Sequence, residues 1–314
     1  MTQGSLPNFL VVGAAKAGTT SLYGYLGSHP QVFMPRTVKE PLYFVLGEEE
    51  NHFQYRDWRS VTMDCSVDWD AYCRLFRDAG DAAAIGEATP YYLPHPAAPA
   101  KIAARLGRPK IIVLLRDPVA RGYSHYTYNR MRQVERAPTF AEAVKAELAL
   151  ENPWYAIKYM RSGLYAEMVG RYFDQFGREN VKVLLFEDLV GERDVTLRGV
   201  YDFLGIDPAH AAPDEVRNVT LEENAVTSTL YRLKGSDSAL GKLARRTHGF
   251  LTKSDIYLST KEKVFDMARD LAGKSAGKPE RLDAETRAGL QTLVAEDTVR
   301  LQSMLDRDLS AWLR

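Results

Sequence analysis

The chain has 314 residues, the size of one large α/β domain or two ordinary ones. Its 45% hydrophobic content supports a real core and excludes a disordered or collagen-like polymer. Lys and Arg number 41 against 41 Asp and Glu, a balance that argues against a nucleic-acid or membrane-surface binder.

The first strong element is Phe9-Leu-Val-Val-Gly13, an unbroken apolar run that suits a strand buried on both faces of a parallel sheet. The loop Ala14 to Gly18 follows. Thr19 to Leu26 reads as a helix opened by hydroxyl residues and stopped near Gly27. Phe33 to Asp70 is irregular and aromatic-rich, the pattern of a long functional excursion. Helices are expected over Trp69–Ala79 and Ala97–Leu106, with a short strand at Ala83–Gly86 between them. Lys110–Leu115 is the next uniformly apolar strand, ended by Arg116-Asp117-Pro118, and Pro118 fits the first turn of a helix reaching about Arg132. Phe140–Leu150 and Tyr165–Phe176 read as amphipathic helices and Val181–Phe186 as a third strand, with a helix running on through Leu204. Lys261–Ala272 and Ala284–Asp306 are the helices of the last third, behind a weakly patterned stretch that holds Lys234, Lys242, Arg245 and Arg246.

Buried strands alternating with helices predict a doubly wound, mostly parallel sheet. No linker-like segment and no repeat divides the chain. One domain over residues 1–314 is therefore expected, with its ligand motifs within 7–205 and a helical C-terminal region over 206–314. Cys65 and Cys73 show no metal-ligand spacing and no disulfide framework, which fits a reducing compartment. The start, Met1 to Pro7, has no basic region before its apolar run, and no apolar run approaches bilayer length. A soluble, cytoplasmic protein without a membrane span is expected; the sequence leaves the oligomeric state open.

Between Lys101 and Arg136 stand nine basic residues against Asp117 and Glu135, a concentration that suits a compact anion rather than a long polyanion. Two segments offer it a place. Gly13-Ala-Ala-Lys16-Ala17-Gly18-Thr19-Thr20 lies between a buried strand and a helix N-terminus, where backbone N–H groups and the helix dipole meet. Glycine permits close approach, Lys16 adds a charge, and two hydroxyls can donate. This is not the GxxxxGK[ST] loop, since Lys16 precedes Gly18. An ordinary β–α turn is the alternative. The second segment is Arg116 to Ser124, with an arginine at the C-terminal end of a parallel strand, where open α/β sheets bind ligands. Ser124 falls two turns into the following helix, and the pair suits a second phosphate. A strand-end arginine capping a carboxylate is its alternative.

Together these segments resemble the sulfotransferase family, whose donor is 3′-phosphoadenosine-5′-phosphosulfate (PAPS) and whose product is the bisphosphate PAP. Phe9 to Leu22 is similar to the family's 5′-phosphosulfate motif, and Arg116 with Ser124 to its 3′-phosphate motif. Lys39-Glu40-Pro-Leu-Tyr-Phe44, Gly86-Glu87-Ala-Thr-Pro-Tyr-Tyr92, Ser162-Gly-Leu-Tyr165 and Val183 to Leu189 extend the likeness toward the heparan-sulfate-type branch and its bacterial relatives. Ala88 stands where those enzymes often carry lysine. The resemblance implies a P-loop-like single α/β domain, a donor site of Lys16, Ala17, Gly18, Thr19, Thr20, Arg116 and Ser124, and no metal. It also implies Lys16 as the cation at the leaving phosphate and Glu40 as the base for an acceptor hydroxyl, in a carbohydrate or small metabolite.

Taken alone, Glu40 reads equally as a solvated loop residue paired with Lys39. His29 reads as structural, His125 as turned away from Ser124, and His52 as a reserve base. Tyr43, Phe44, Phe53, Tyr55, Trp58, Tyr91 and Tyr92 are candidates for an aromatic wall against an acceptor, or for simple core anchors. The rival functions are a nucleotide-type kinase on a related fold and a noncatalytic nucleotide-binding scaffold.

Overall fold

A computed structural model of the chain describes residues 6–36, 38–46, 68–131, 134–151, 153, 157–214 and 282–314. The expected helix Lys261–Ala272, the basic residues from Lys234 to Arg246, and His52, Phe53, Tyr55, Trp58 and Cys65 lie outside these residues.

The uniformly apolar runs form the middle of a five-stranded sheet. β1 (Phe9–Gly13) lies between β3 (Ala84–Ala88) and β4 (Lys110–Leu115), β2 (Val32–Phe33) flanks β3, and β5 (Val181–Leu185) flanks β4. Every pairing is parallel. Phe9 to Val12 and Ile111 to Leu115 are wholly buried, because helices cover both faces. That is why these strands read as continuous apolar runs with no alternation. Parallel strands bring the loops after β1, β3, β4 and β5 to one edge of the sheet, and the chain reverses its direction of progress across the sheet beside β1.

The α-helices among the described residues are α1 (Thr19–Ser28), α2 (Tyr43–Leu46), α3 (Trp69–Arg74), α4 (Ala98–Leu106), α5 (Pro118–Met131), α6 (Phe140–Ala149), α7 (Tyr165–Phe176), α8 (Phe186–Gly191), α9 (Arg193–Leu204), α10 (Ala284–Thr292) and α11 (Ala295–Leu305). Among the described residues no helix is long and apolar enough to cross a membrane.

Several expectations are corrected. The excursion after Phe33 is not wholly irregular, since α2 lies within it, and β2 begins just before it. The helix expected over Trp69–Ala79 ends at Arg74 and continues as turns. Phe186 belongs to α8 rather than to the strand, and the helix expected through Leu204 is two helices broken at Glu192 (φ −132°, ψ 48°). Ala284–Asp306 is likewise two helices. Leu290 and Val294 join the cluster around Val119 of α5, whereas Leu301 joins the main core beside α7. A break lets the segment serve both neighbours.

These last helices are tied to the sheet edge by charge. Asp117 Oδ1 accepts from the N–H groups of Val119 (2.9 Å) and Ala120 (3.0 Å), satisfying the first turn of α5, while Oδ2 pairs with Arg287 of α10. Asp297 of α11 accepts from Ala166 N–H at 3.2 Å, at the start of α7. Asp117→Ala removes the cap and the ion pair together and is expected to lower stability by about 2–3 kcal/mol. Asp117→Asn keeps a capping oxygen and should lose about 1 kcal/mol. Urea unfolding of the two variants checks this; equal losses would mean that the cap contributes nothing.

Candidate active site

The anion loop begins where β1 leaves the sheet. Gly13 is required there because a Cβ would lie 2.5 Å from the Leu93 Cβ. Pairing with β4 shifts register between Val11 and Gly13, a bulge that re-aims the chain as it enters the loop. Lys16 takes φ 68° and Gly18 φ 94°, so two residues of this short turn lie in the left-handed region. Ala17 is buried and its N–H closes onto the Ala14 carbonyl at 3.2 Å. Gly18 caps α1 without any side-chain acceptor for the first-turn amides. The positive end of α1 thus stands without a side-chain cap beside Lys16, an arrangement suited to an anion. Thr19 is buried and Thr20 half-buried.

Arg116, the first residue past β4, turns back over this loop. Its Nη1 donates to the Lys16 carbonyl at 3.2 Å and its guanidinium lies 4.6 Å from the centre of the Phe186 ring. Phe186 also fills the space beside Gly18, where a Cβ would meet the ring at 2.8 Å. Tyr165 Oη donates to the Arg116 carbonyl at 2.9 Å, fixing the strand end from α7. Ser124 is half-buried on α5. The two candidate phosphate segments therefore meet, through a hydrogen bond and a shared ring.

The sequence reading missed what holds them. Arg121 is completely buried; Nη1 donates to the Ala15 carbonyl at 3.5 Å and Nη2 to that of Tyr159. The Glu147 carboxylate gathers the N–H groups of Tyr159 (2.8 Å), Met160 (2.8 Å) and Arg161 (2.9 Å). An arginine three residues before Ser124, on the same helical face, was the available signal. His125, four residues past Arg121, is buried against the Tyr159 ring at 5.3 Å and within electrostatic reach of Lys16. Burial, with Arg121 and Lys16 nearby, holds it well below the usual histidine range, so it is neutral at physiological pH. His29 is structural, accepting from Gln31 N–H at 3.1 Å with its other nitrogen 2.9 Å from the Asp207 carbonyl.

Glu40 pairs with Lys39 at 2.6 Å, and both keep about a fifth of their side-chain surface, 21% and 23%. Its charge also reaches Lys16. The ammonium of Lys16 is pulled down to about 8, by burial first and then by Arg116, with Glu40 acting in the opposite sense. Beneath this pair lies a second carboxyl. Glu87, in β3, is fully buried; Thr89 Oγ1 donates to it at 2.7 Å and Tyr72 Oη at 3.4 Å. Burial pushes it up to about 8, against the pull of those hydroxyls. The aromatic wall is in part corrected. Phe44 and Tyr92 are interior, packed with Tyr72 in the cluster that encloses Glu87, and Tyr43 lies against Phe44 and Trp69.

A family model described as the sulfotransferase domain matches residues 6–239. Human heparan sulfate glucosamine 3-O-sulfotransferase 3B1 is 29% identical over 205 residues, covering 64% of this chain and 46% of that protein. Human bifunctional heparan sulfate N-deacetylase/N-sulfotransferase 3 is 26% identical over 212 residues, 65% of this chain and 23% of that protein. The first of these relatives is thus spanned for about half its length. The crystal structure of a sulfotransferase from Alicyclobacillus acidocaldarius matches with a TM-score of 0.69 at 27% identity, covering 99% of this chain and 100% of that one.

Glu87 sets a pH dependence of stability. Its carboxyl holds a proton up to about 8 in the folded protein but only to about 4.5 when unfolded. Between those values the folded state binds the extra proton, so stability falls as pH rises, with a slope of up to about 1.4 kcal/mol per pH unit. Glu87→Gln is expected to flatten that slope in urea unfolding over the same range. An unchanged slope would place the charge in solvent.

Proposed function

Because the chain belongs to the sulfotransferase domain family, we propose that it transfers a sulfo group from PAPS to an acceptor hydroxyl. The observation that carries this is the junction of Lys16 and Arg116, two cations at the sheet edge joined through the Lys16 carbonyl and Phe186, with a carboxylate beside them. The residues fit such a donor: α1 begins without a side-chain cap, and Arg116 makes no ion pair among the described residues. The loop from Lys16 to Thr20 takes the 5′-phosphosulfate, while Arg116 and Ser124 take the 3′-phosphate. The ties of Asp117 to Arg287 and of Ala166 to Asp297 support one domain over the whole chain.

In the reaction Glu40 accepts the proton of the acceptor hydroxyl as its oxygen bonds to sulfur. The bond from sulfur to the phosphate oxygen breaks in line, and Lys16 neutralises the charge left on that phosphate. Lys39 holds Glu40 until an acceptor arrives. The acceptor is a glycan or a small metabolite; a glycan is supported by the heparan sulfate enzymes among the relatives.

PAP should raise the melting temperature at saturation, and adenosine 5′-phosphosulfate, which lacks the 3′-phosphate, much less. Arg116→Ala should weaken PAP binding roughly tenfold to 150-fold, the worth of a charge-assisted phosphate contact. Normal binding by that variant would make Arg116 a structural residue.

Turnover separates the chemistry from binding. Glu40→Gln should lower it by roughly 100-fold to 10,000-fold with PAP affinity almost unchanged. Lys16→Ala should lose rate and affinity together, since its charge meets the donor in ground and transition states. Both assays run with a chelator present, where a kinase would stall. Near-normal turnover of Glu40→Gln would hand the base role to another group, with His52 the first to test.

A further inference from the structure

Lys16 ends in an ammonium whose surroundings disfavour it. Its backbone is fixed by the Arg116 hydrogen bond to its carbonyl, but a four-carbon stem leaves the charged tip free to choose a place. Arg116 past β4, Arg121 on α5 and Lys39 in the segment after β2 all repel that tip, and His125 on α5 is neutral beside it. Among these described groups Glu40 alone attracts it. The tip lies 4.2 Å from the centre of the Tyr128 ring. Tyr128 is on α5 four residues past Ser124 and seven past Arg121, on the face that Arg121 anchors to the Ala15 and Tyr159 carbonyls.

We propose that Tyr128 is a positioning residue whose ring face holds the Lys16 ammonium, charged, where the donor phosphosulfate arrives. This rests on the reading of Lys16 as the cation of sulfo transfer. A ring suits the task better than a carboxylate. It attracts the cation through its quadrupole, yet adds no net negative charge to repel an anionic donor. An acid at this position would bind Lys16 in the resting protein and compete with the phosphosulfate.

The test titrates Lys16 directly, by competitive amine labelling of the full chain and mass spectrometry of its peptide, without ligand. Tyr128→Leu is expected to lower the Lys16 midpoint by about 0.5–1.5 pH units, and Tyr128→Phe by less than half as much. The alkaline limb of kcat/KM for the donor should move with the midpoint. A Tyr128→Leu protein whose Lys16 titrates as in the unaltered chain overturns the proposal. Should that variant not fold, Tyr128→Trp against Tyr128→Phe decides: the midpoint should be higher with tryptophan, and equal midpoints overturn it. Labelling needs no activity, so the two readings fail separately. A shifted midpoint without sulfo transfer to any acceptor rejects the sulfotransferase reading and leaves the ring–lysine contact standing. A transferring enzyme with an unmoved midpoint rejects only the role of Tyr128.

Discussion

A guanidinium buried as completely as that of Arg121 must recover its lost hydration from the protein. Here it does so from two main-chain carbonyls, Ala15 in the anion loop and Tyr159 in the loop ahead of α7, with Glu147 supplying negative charge nearby. Those carbonyls lie on segments far apart in sequence, and Arg121 itself stands on a third, α5. One side chain therefore fixes three elements at the sheet edge. Lys16, Ser124, His125 and Tyr128 all take their places relative to it. The Glu147 carboxylate completes the arrangement by accepting from three N–H groups of the Tyr159 loop, one of which it shares with the Ile157 carbonyl.

The chain is neutral overall, yet Lys16, Arg116 and Arg121 converge at one edge, with Glu40 facing Lys16, Glu187 and Asp117 facing Arg116, and Glu147 facing Arg121. Their mutual repulsion disfavours the charge of Lys16 in the free protein, and the anionic donor proposed for this edge would relieve it. The hydrogen bonds of Arg116 and Arg121 run to main-chain carbonyls, and rings lie against Lys16 and Arg116, so the cations are positioned without direct carboxylate pairs. This is preorganisation in the electrostatic sense: the field is built before the ligand is present.

Much of this was legible in the sequence, for identifiable reasons. Phe9–Gly13 and Lys110–Leu115 were found to the residue because strands buried on both faces are apolar throughout. Tyr165–Phe176 was found because its apolar side faces the core along its full length. The two-residue strand Val32–Phe33 is too short to carry a period. The breaks at Glu192 and between Thr292 and Ala295 are set by which neighbour each half packs on, a tertiary fact. Lys16, Arg116 and Glu40 were named from their motifs, whereas Arg121 and His125 were not. In α5 a positive charge and an imidazole sit inside a helix whose partner surfaces only the fold reveals, so the spacing of Arg121 from Ser124 was the one mark their inward turn left in a one-dimensional pattern. Glu87 is similar: a glutamate inside an aromatic cluster looks, in sequence, like any strand-end acid.

Phe186 touches both halves of the anion-binding edge, packing against the backbone at Gly18 and beneath the guanidinium of Arg116. A rigid ring between two charged stations sets the distance between them. On the proposed reading of the two stations, the site measures a donor as a gauge block does, by the separation of two negative groups and not merely by their number. Positions 18 and 186 form a matched pair in this gauge. Gly18 also carries φ 94°, so a larger residue there strains the backbone whatever stands at 186, and the spacing is open to change only from the side of the ring.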